Sequence, residues 1–172
     1  MKISVRAMVY MALVAGIYAA ITISQSAIGF GPIQFRIAES LNLLAFFNPI
    51  FVPAVTIGVF LSNLIGSPYG IIDAGLGTLA TVIALILIRI TKKTTNNLFI
   101  ASLWPTVVNA LIVPIIVLVP TVGIAGITWG SYLIFAGLVA IGQFVVVTLF
   151  GFTLFYFLQQ KHPRFIEHIK SI

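Results

Sequence analysis

Long apolar runs, broken at a few sharp points, dominate the hydrophobic pattern of this chain. A bilayer-crossing helix takes about 20 apolar residues, with roughly 17–25 tolerated. The run AMVYMALVAGIYAAITI (7–23) meets that length and predicts helix 1. AGLGTLATVIALILI (74–88) supplies most of helix 4 and runs into Arg89, Lys92 and Lys93. From 94 to 160 no residue is charged, and that stretch holds two helices. They are LFIASLWPTVVNALIVPIIVLV (98–119) and YLIFAGLVAIGQFVVVTLFGFTLFYFL (132–158), separated by PTVGIAGITWG (120–130), whose Pro and Gly mark a loop. Between Glu39 and Asp73 the runs are shorter. RIAESLNLLAFF (36–47) and FVPAVTIGVFLSNLIG (51–66) flank a turn at Asn48-Pro49 and read as helices 2 and 3. The second of this pair is too short to span comfortably unless the protein thins or kinks there. The expectation is an all-α membrane protein of six transmembrane helices, with residues 1–172 forming one integral membrane domain.

Composition sharpens that expectation. Of 172 residues 60% are hydrophobic and only 7% charged, with mean hydropathy +1.19. A soluble domain carries about 25% charged residues, so this chain could not cover a water-facing surface. The basic residues orient it. Lys2/Arg6, Arg89/Lys92/Lys93 and Lys161/Arg164/Lys170 all face the cytoplasm under the positive-inside rule. Four helices separate the first two clusters and two separate the last two, so both termini are expected inside. A basic start, an apolar run and SQSA have the outline of a signal peptide. The run exceeds the usual apolar region, and cutting there would leave five helices and invert the parity. It is read as helix 1.

Other chemistries find little support. The chain has no cysteine, hence no disulfide framework or thiolate metal site. His162 and His168 sit in a basic C-terminal tail that reads as a solvated membrane-proximal segment rather than a metal site. The net charge of +6 is too dispersed for a nucleic-acid surface. Most of it sits where membrane lipids would want it.

The remaining charges stand out. Arg36 and Glu39 follow the Gly31-Pro32 break, and Asp73 opens helix 4, all at the outer ends of helices. Charges at membrane depth are costly and usually face a cavity or each other. Positions three apart share a helix face, so Arg36 and Glu39 can pair. A structural pair, with Asp73 as an N-cap, would leave Asp73 unneutralised. As a ligand site, the trio carries one net negative charge and suits a small cation arriving from outside. Gln34, Asn42, Asn63, Asn109 and Gln143 lie at compatible depth, each equally able to serve as an interhelical hydrogen bond. Tyr69, Trp129 and Tyr132 fall at the outer interface, where aromatic belts occur. Trp104 lies in the inner part of helix 5 and suits packing. Helix 1 carries small residues at four-residue spacing, Ala12/Gly16/Ala20 and Ala15/Ala19, which let another helix approach closely.

FGPIQFRIAESL, FLSNLIGSPYGIIDAGLGTLAT and WPTVVNALIVP resemble the QueT family, the queuosine-precursor S-components of energy-coupling-factor (ECF) transporters. The resemblance runs from helix 1 to helix 6, and Gly-Pro-x-Gln-x-Arg-x-x-Glu is its most specific part. It implies a six-helix S-component bundle with cytoplasmic termini and an outer substrate pocket. The implied substrate is a precursor of a modified tRNA base, 7-aminomethyl-7-deazaguanine. Its guanine-like edge offers adjacent N–H donors that a carboxylate accepts in bidentate fashion, and its ammonium suits a second carboxylate. The resemblance assigns Glu39 to the edge and Asp73 to the ammonium, or the two exchanged. Arg36 or Gln34 would donate to the carbonyl, Asn63, Asn109 and Gln143 would line the pocket, and Tyr69 or Trp129 would stack or lid it. With no G-x-x-x-x-G-K-[ST] loop, ATP would be hydrolysed by partners: two ECF ATPases and a transmembrane coupling protein, EcfT. EcfT would dock on one of the helix 1 small-residue faces. No cofactor and no metal is expected.

Three other readings compete. An S-component for another vitamin such as thiamin would use the same fold. A stand-alone carrier would couple to an ion through Glu39 or Asp73, although no inverted repeat is detectable. A membrane enzyme lacks any His or Cys in the membrane region, leaving only carboxylate or Ser/Thr chemistry.

Overall fold

The computed structural model describes residues 4–172, and the regular structure among them is helical, with no strand. Seven helices follow in order: α1 (Val5–Ser24), α2 (Ile37–Phe47), α3 (Phe51–Gly66), α4 (Asp73–Thr94), α5 (Leu98–Val122), α6 (Trp129–Lys161) and α7 (Pro163–Ser171). Lys2, part of the first basic cluster, lies outside the described residues.

Four helices, α1, α4, α5 and α6, are long and apolar enough to cross a membrane. The two expected short helices are present but fall below that length. α2 is a 3-10 helix over Ile37–Leu43 closed by an α-helical turn, Leu44–Phe47. At about 2.0 Å per residue in 3-10 and 1.5 Å in α geometry, it reaches only about 20 Å. α3, with 16 residues, reaches about 24 Å against a hydrocarbon core of about 30 Å.

Side chains set several of the boundaries. Ser4 accepts from Ala7 N at 3.1 Å to start α1, and Asn97 accepts from Ile100 N at 3.1 Å to start α5. A reciprocal Thr128/Ser131 box opens α6, three residues before the predicted start. α5 carries Pro105, Pro114 and Pro120 within its length, each removing a backbone donor. The Tyr132 hydroxyl donates to the Leu111 carbonyl at 2.8 Å beside the second of these. Trp104 packs as expected, its indole N–H donating to Thr91 at 2.7 Å.

α1 packs on α3, and α5 packs against both α4 and α6. The main core joins Tyr18 of α1, Phe46 and Phe47 of α2, Phe51 and Val55 of α3, and Phe155 of α6. The two small-residue faces of α1 part company here. Ala15 is buried over Gly58, where a Cβ would meet the Ala15 carbonyl and Tyr18 at 2.9 Å, and Ala19 is half-buried. Ala12, Gly16 and Ala20 are exposed, in company with Val9, Leu13 and Ile17.

The C-terminal tail departs from expectation. It folds as the amphipathic helix α7, with Ile166 and Ile169 buried in the main core. Asn48, in the α2–α3 turn, donates to the Ile169 carbonyl at 3.0 Å, and His168 receives Tyr10 and Arg6 at 2.8 and 3.2 Å. Apolar spacing at 166 and 169 is enough to dock it, where charge alone suggested a solvated segment.

Candidate polar site between α2, α3 and α4

The chain leaves α1 through a short helical turn, Ser26–Gly29, and bends back at Gly31-Pro32. Gln34 then takes φ 53°, a left-handed conformation that costs a non-glycine residue on the order of 1–3 kcal/mol. Surrounding contacts hold it there. Ile33, just before it, presses its carbonyl onto Gly142 of α6, where any Cβ would collide with that oxygen. The re-entrant segment is thus clamped against α6, and Arg36 and Glu39 enter the bundle at the start of α2.

Arg36 is the hub. Its guanidinium donates to Asn63 Oδ1 at 3.0 Å and to Gln34 Oε1 at 2.8 Å, and lies 3.7 Å from Glu39 Oε1. The ring of Phe30 sits beneath it, 5.3 Å from Cζ to centroid. Glu39 Oε2 accepts from Asn42 Nδ2 at 2.6 Å. Asn63 turns its own amide N–H to Asp73, donating to the backbone carbonyl at 3.1 Å and to Oδ1 at 3.4 Å. Three segments far apart in sequence, Gln34–Asn42, Asn63 and Asp73, therefore share one network. Every member is sealed from solvent, with exposures of 0–2%.

Asp73 does not cap α4. No side-chain cap bond is present at that terminus, and Asp73 lies inside a first turn of π geometry, Asp73–Gly77. Gly77 makes the room, since a Cβ there would run into the Asp73 carboxylate and Asn63. A wide turn beside a glycine thus tucks a carboxylate into the bundle rather than over the helix end. π-type turns are frequent at functional sites.

The network contains two carboxylates and one guanidinium, and its members leave atoms without a hydrogen bond: Arg36 Nε, Glu39 Oε1 (held only by the 3.7 Å ion pair), Asn42 Oδ1 and Asp73 Oδ2. Tyr18 of α1 is fully buried with its hydroxyl beside Glu39, close enough to interact but without closing a hydrogen bond of ordinary geometry. Buried polar groups are satisfied in the great majority of cases, so five orphans in one place call for an explanation. Three of the five, on Glu39, Asn42 and Asp73, are acceptors only. The chemistry of these atoms suits a small molecule rich in N–H donors and carrying positive charge, with Arg36 or Tyr18 left to donate to an acceptor on it.

The other candidates lie differently. Tyr69 packs against the buried cluster of Val113, Ile116, Val117 and Val139 and has Asp73 as a charged neighbour. Partial burial, and then that carboxylate, raise its phenol above the ordinary value. Asn109 on α5 is buried with its Nδ2 unpartnered, and Gln143 on α6 is buried with both polar atoms unpartnered, next to the Gly142 contact. Neither bonds to the Arg36 network. Trp129 is 82% exposed, edge-on to Tyr132, and lines a separate apolar cavity with Ile115 and Ile127. Sequence reasoning missed Tyr18. Its signal was faint: it lies three residues after Ala15, on the face of α1 that turns inward.

Matched against known proteins, residues 8–160 fit the family model described as QueT transporter. Over 79 residues the chain is 43% identical to the queuosine precursor transporter QueT of Lactococcus lactis subsp. cremoris (strain MG1363), covering 45% of this chain and 46% of that protein. The match thus spans about half the length of that curated relative. No solved structure matches the chain.

Proposed function

Because the chain belongs to the QueT transporter family, we propose that it is the substrate-binding S-component of an ECF-type importer and takes up a queuosine precursor. In this reading it is a multi-pass protein of a bacterial cell membrane, six helices crossing with α2 and α3 short, and both termini cytoplasmic. Basic residues support that orientation. Arg6 meets His168, and Lys92 and Lys170 line one cavity, all at the end of the bundle opposite Glu39 and Asp73.

The observation that carries the proposal is the sealed, acceptor-rich network around Arg36. 7-Aminomethyl-7-deazaguanine matches it group for group. Its ring N–H and exocyclic amine suit the Glu39 and Asn42 oxygens that make no hydrogen bond, its ammonium suits Asp73, and its carbonyl suits Arg36 or Tyr18. The two carboxylates exchange roles if the base lies the other way round. Gln34 and Asn63 hold Arg36 in place, while Asn109, Gln143, Tyr69 and Trp129 would contribute when the site opens and closes. Energy comes from partners, EcfT and two ECF ATPases. EcfT docks on the exposed Ala12/Gly16/Ala20 face, since Ala15 is already buried against α3.

Calorimetry on the purified chain tests this, with 7-aminomethyl-7-deazaguanine, guanine and thiamin as ligands. The expected result is tight binding of the first, weaker binding of guanine, and a loss of about 100-fold in Glu39→Gln, the ~2.7 kcal/mol expected of a charge-assisted pair. A folded wild type that ignores the deazaguanine but binds thiamin would replace the substrate. A Glu39→Gln variant that binds normally would remove Glu39 from the site.

A further inference from the structure

We propose that the basic end of the bundle binds the phosphate headgroup of an anionic phospholipid, in the cavity where α2, α4, α5, α6 and α7 meet. This cavity, about 570 Å³, lies at the far end of α2 and α4 from the Arg36 network and belongs to no step described above. Its volume falls within the roughly 300–1,000 Å³ typical of ligand pockets.

One wall is cationic. Lys92 from α4 and Lys170 from α7 line it, with the amides of Asn96, Asn97 and Gln159, and no acidic residue takes part. Among the described residues the one ion pair is Arg36–Glu39, so neither lysine has a carboxylate partner. Lys92 bonds Asn96 Oδ1 and lies 4.7 Å over the Phe46 ring, with Arg89 and Lys170 as charged neighbours. Glu167, one turn before Lys170, lines an adjoining cavity of about 190 Å³ that shares Gln159 and Lys170, but it forms no ion pair with Lys170. α5 also starts here, its first residues Leu98 and Phe99 in the wall, so the positive end of its dipole adds to the field. Like charges left converging without a counter-ion favour an anion between them.

Much of the remaining lining is aromatic. Phe99 and Phe152 meet edge-on with centroids 5.4 Å apart, and Phe152 and Tyr156 lie tilted, closer to parallel, at 5.6 Å. Phe99 and Tyr156 are 45% and 50% exposed, so this lining continues onto the outer surface of spanning helices. A free phosphate has no use for such a lining, whereas a phospholipid can lay an acyl chain along it. Basic pockets between spanning helices are recognised sites for anionic headgroups. A phosphate bridging Lys92 and Lys170 would also fasten α7 to α4.

Native mass spectrometry on the full chain, exchanged into equimolar phosphatidylglycerol and phosphatidylcholine, tests the proposal. Wild type is expected to retain phosphatidylglycerol over phosphatidylcholine by roughly tenfold or more, the order expected of two basic side chains. Lys92→Gln with Lys170→Gln should bring the ratio near one. Lys92→Arg with Lys170→Arg should keep it, as should Lys93→Gln with Lys161→Gln, which removes the same charge outside the cavity. Should the double glutamine variant not fold, Lys170→Gln alone is expected to lower the ratio several-fold. Equal retention of both lipids by wild type would overturn the proposal, as would undiminished selectivity in the glutamine variants. Loss of all lipid selectivity in millimolar inorganic phosphate would assign the site to the free anion and equally overturn the lipid.

Discussion

The two ends of the bundle treat charge in opposite ways. At one end Arg36, Glu39 and Asp73 are sealed at 0–2% exposure inside a network that ties α2, α3 and the start of α4 together. At the other, basic residues stand at or near the surface with no acidic partner among the described residues, and one of them, Arg89, donates to the carbonyls of Ala45 and Phe46 that end α2. Removing a charge from water costs several kcal/mol, so a buried charge persists only where its surroundings fix and satisfy it. An exposed cation meets no such requirement. The buried end therefore constrains its residues one by one, while the basic end works through a summed field that tolerates exchange of one lysine for another cation.

The largest expected effect is at Arg36. Arg36→Ala leaves two buried carboxylates without their cation and should destabilise the protein by about 3–5 kcal/mol, read as a lowered thermal midpoint in detergent. Combining it with Glu39→Gln should recover part of that loss. An Arg36→Ala variant as stable as wild type would erase the contrast between the ends. Next comes Gly142→Ala, which drives a Cβ into the Ile33 carbonyl. We expect about 1–3 kcal/mol of destabilisation and weaker ligand binding, because the displaced segment carries Gln34 and Arg36. Smaller and more selective is Asp73→Asn. It should weaken binding of the aminomethyl base about tenfold, or ~1.4 kcal/mol, and leave guanine nearly unchanged in the same calorimeter. An equal loss for both ligands would move the ammonium to Glu39. The smallest effect belongs to Lys93→Ala, at an exposed position, where thermal stability should stay within about 0.5 kcal/mol of wild type.

Much of the fold was legible in the sequence because helices in an apolar solvent are local objects. Uninterrupted runs and Pro/Gly breaks located the first six helices to within a few residues, apart from the C-terminal end of α4, which runs through the basic cluster to Thr94. The Arg36–Glu39 relation was legible for the same reason, since a three-residue offset is set by helix geometry alone. The distinction between the two small-residue faces of α1 was not. Ala12/Gly16/Ala20 and Ala15/Ala19 have the same spacing, and only the approach of α3 through Gly58 says which one is already taken.

By itself, then, the sequence determined what each segment does along its own axis: which stretches are helical and apolar, where the chain turns, which ends are basic, and that Arg36 and Glu39 can meet. The tertiary structure alone decided what converges across segments. It joined Asn63 and Asp73 to Arg36, brought Tyr18 to Glu39, left Trp129 outside the network and folded α7 back onto the α2–α3 turn. The physical reason is one of range. Backbone hydrogen bonding and hydrophobic run length act over a few residues, whereas the partners of a buried charge are chosen by packing between helices that the chain order does not relate.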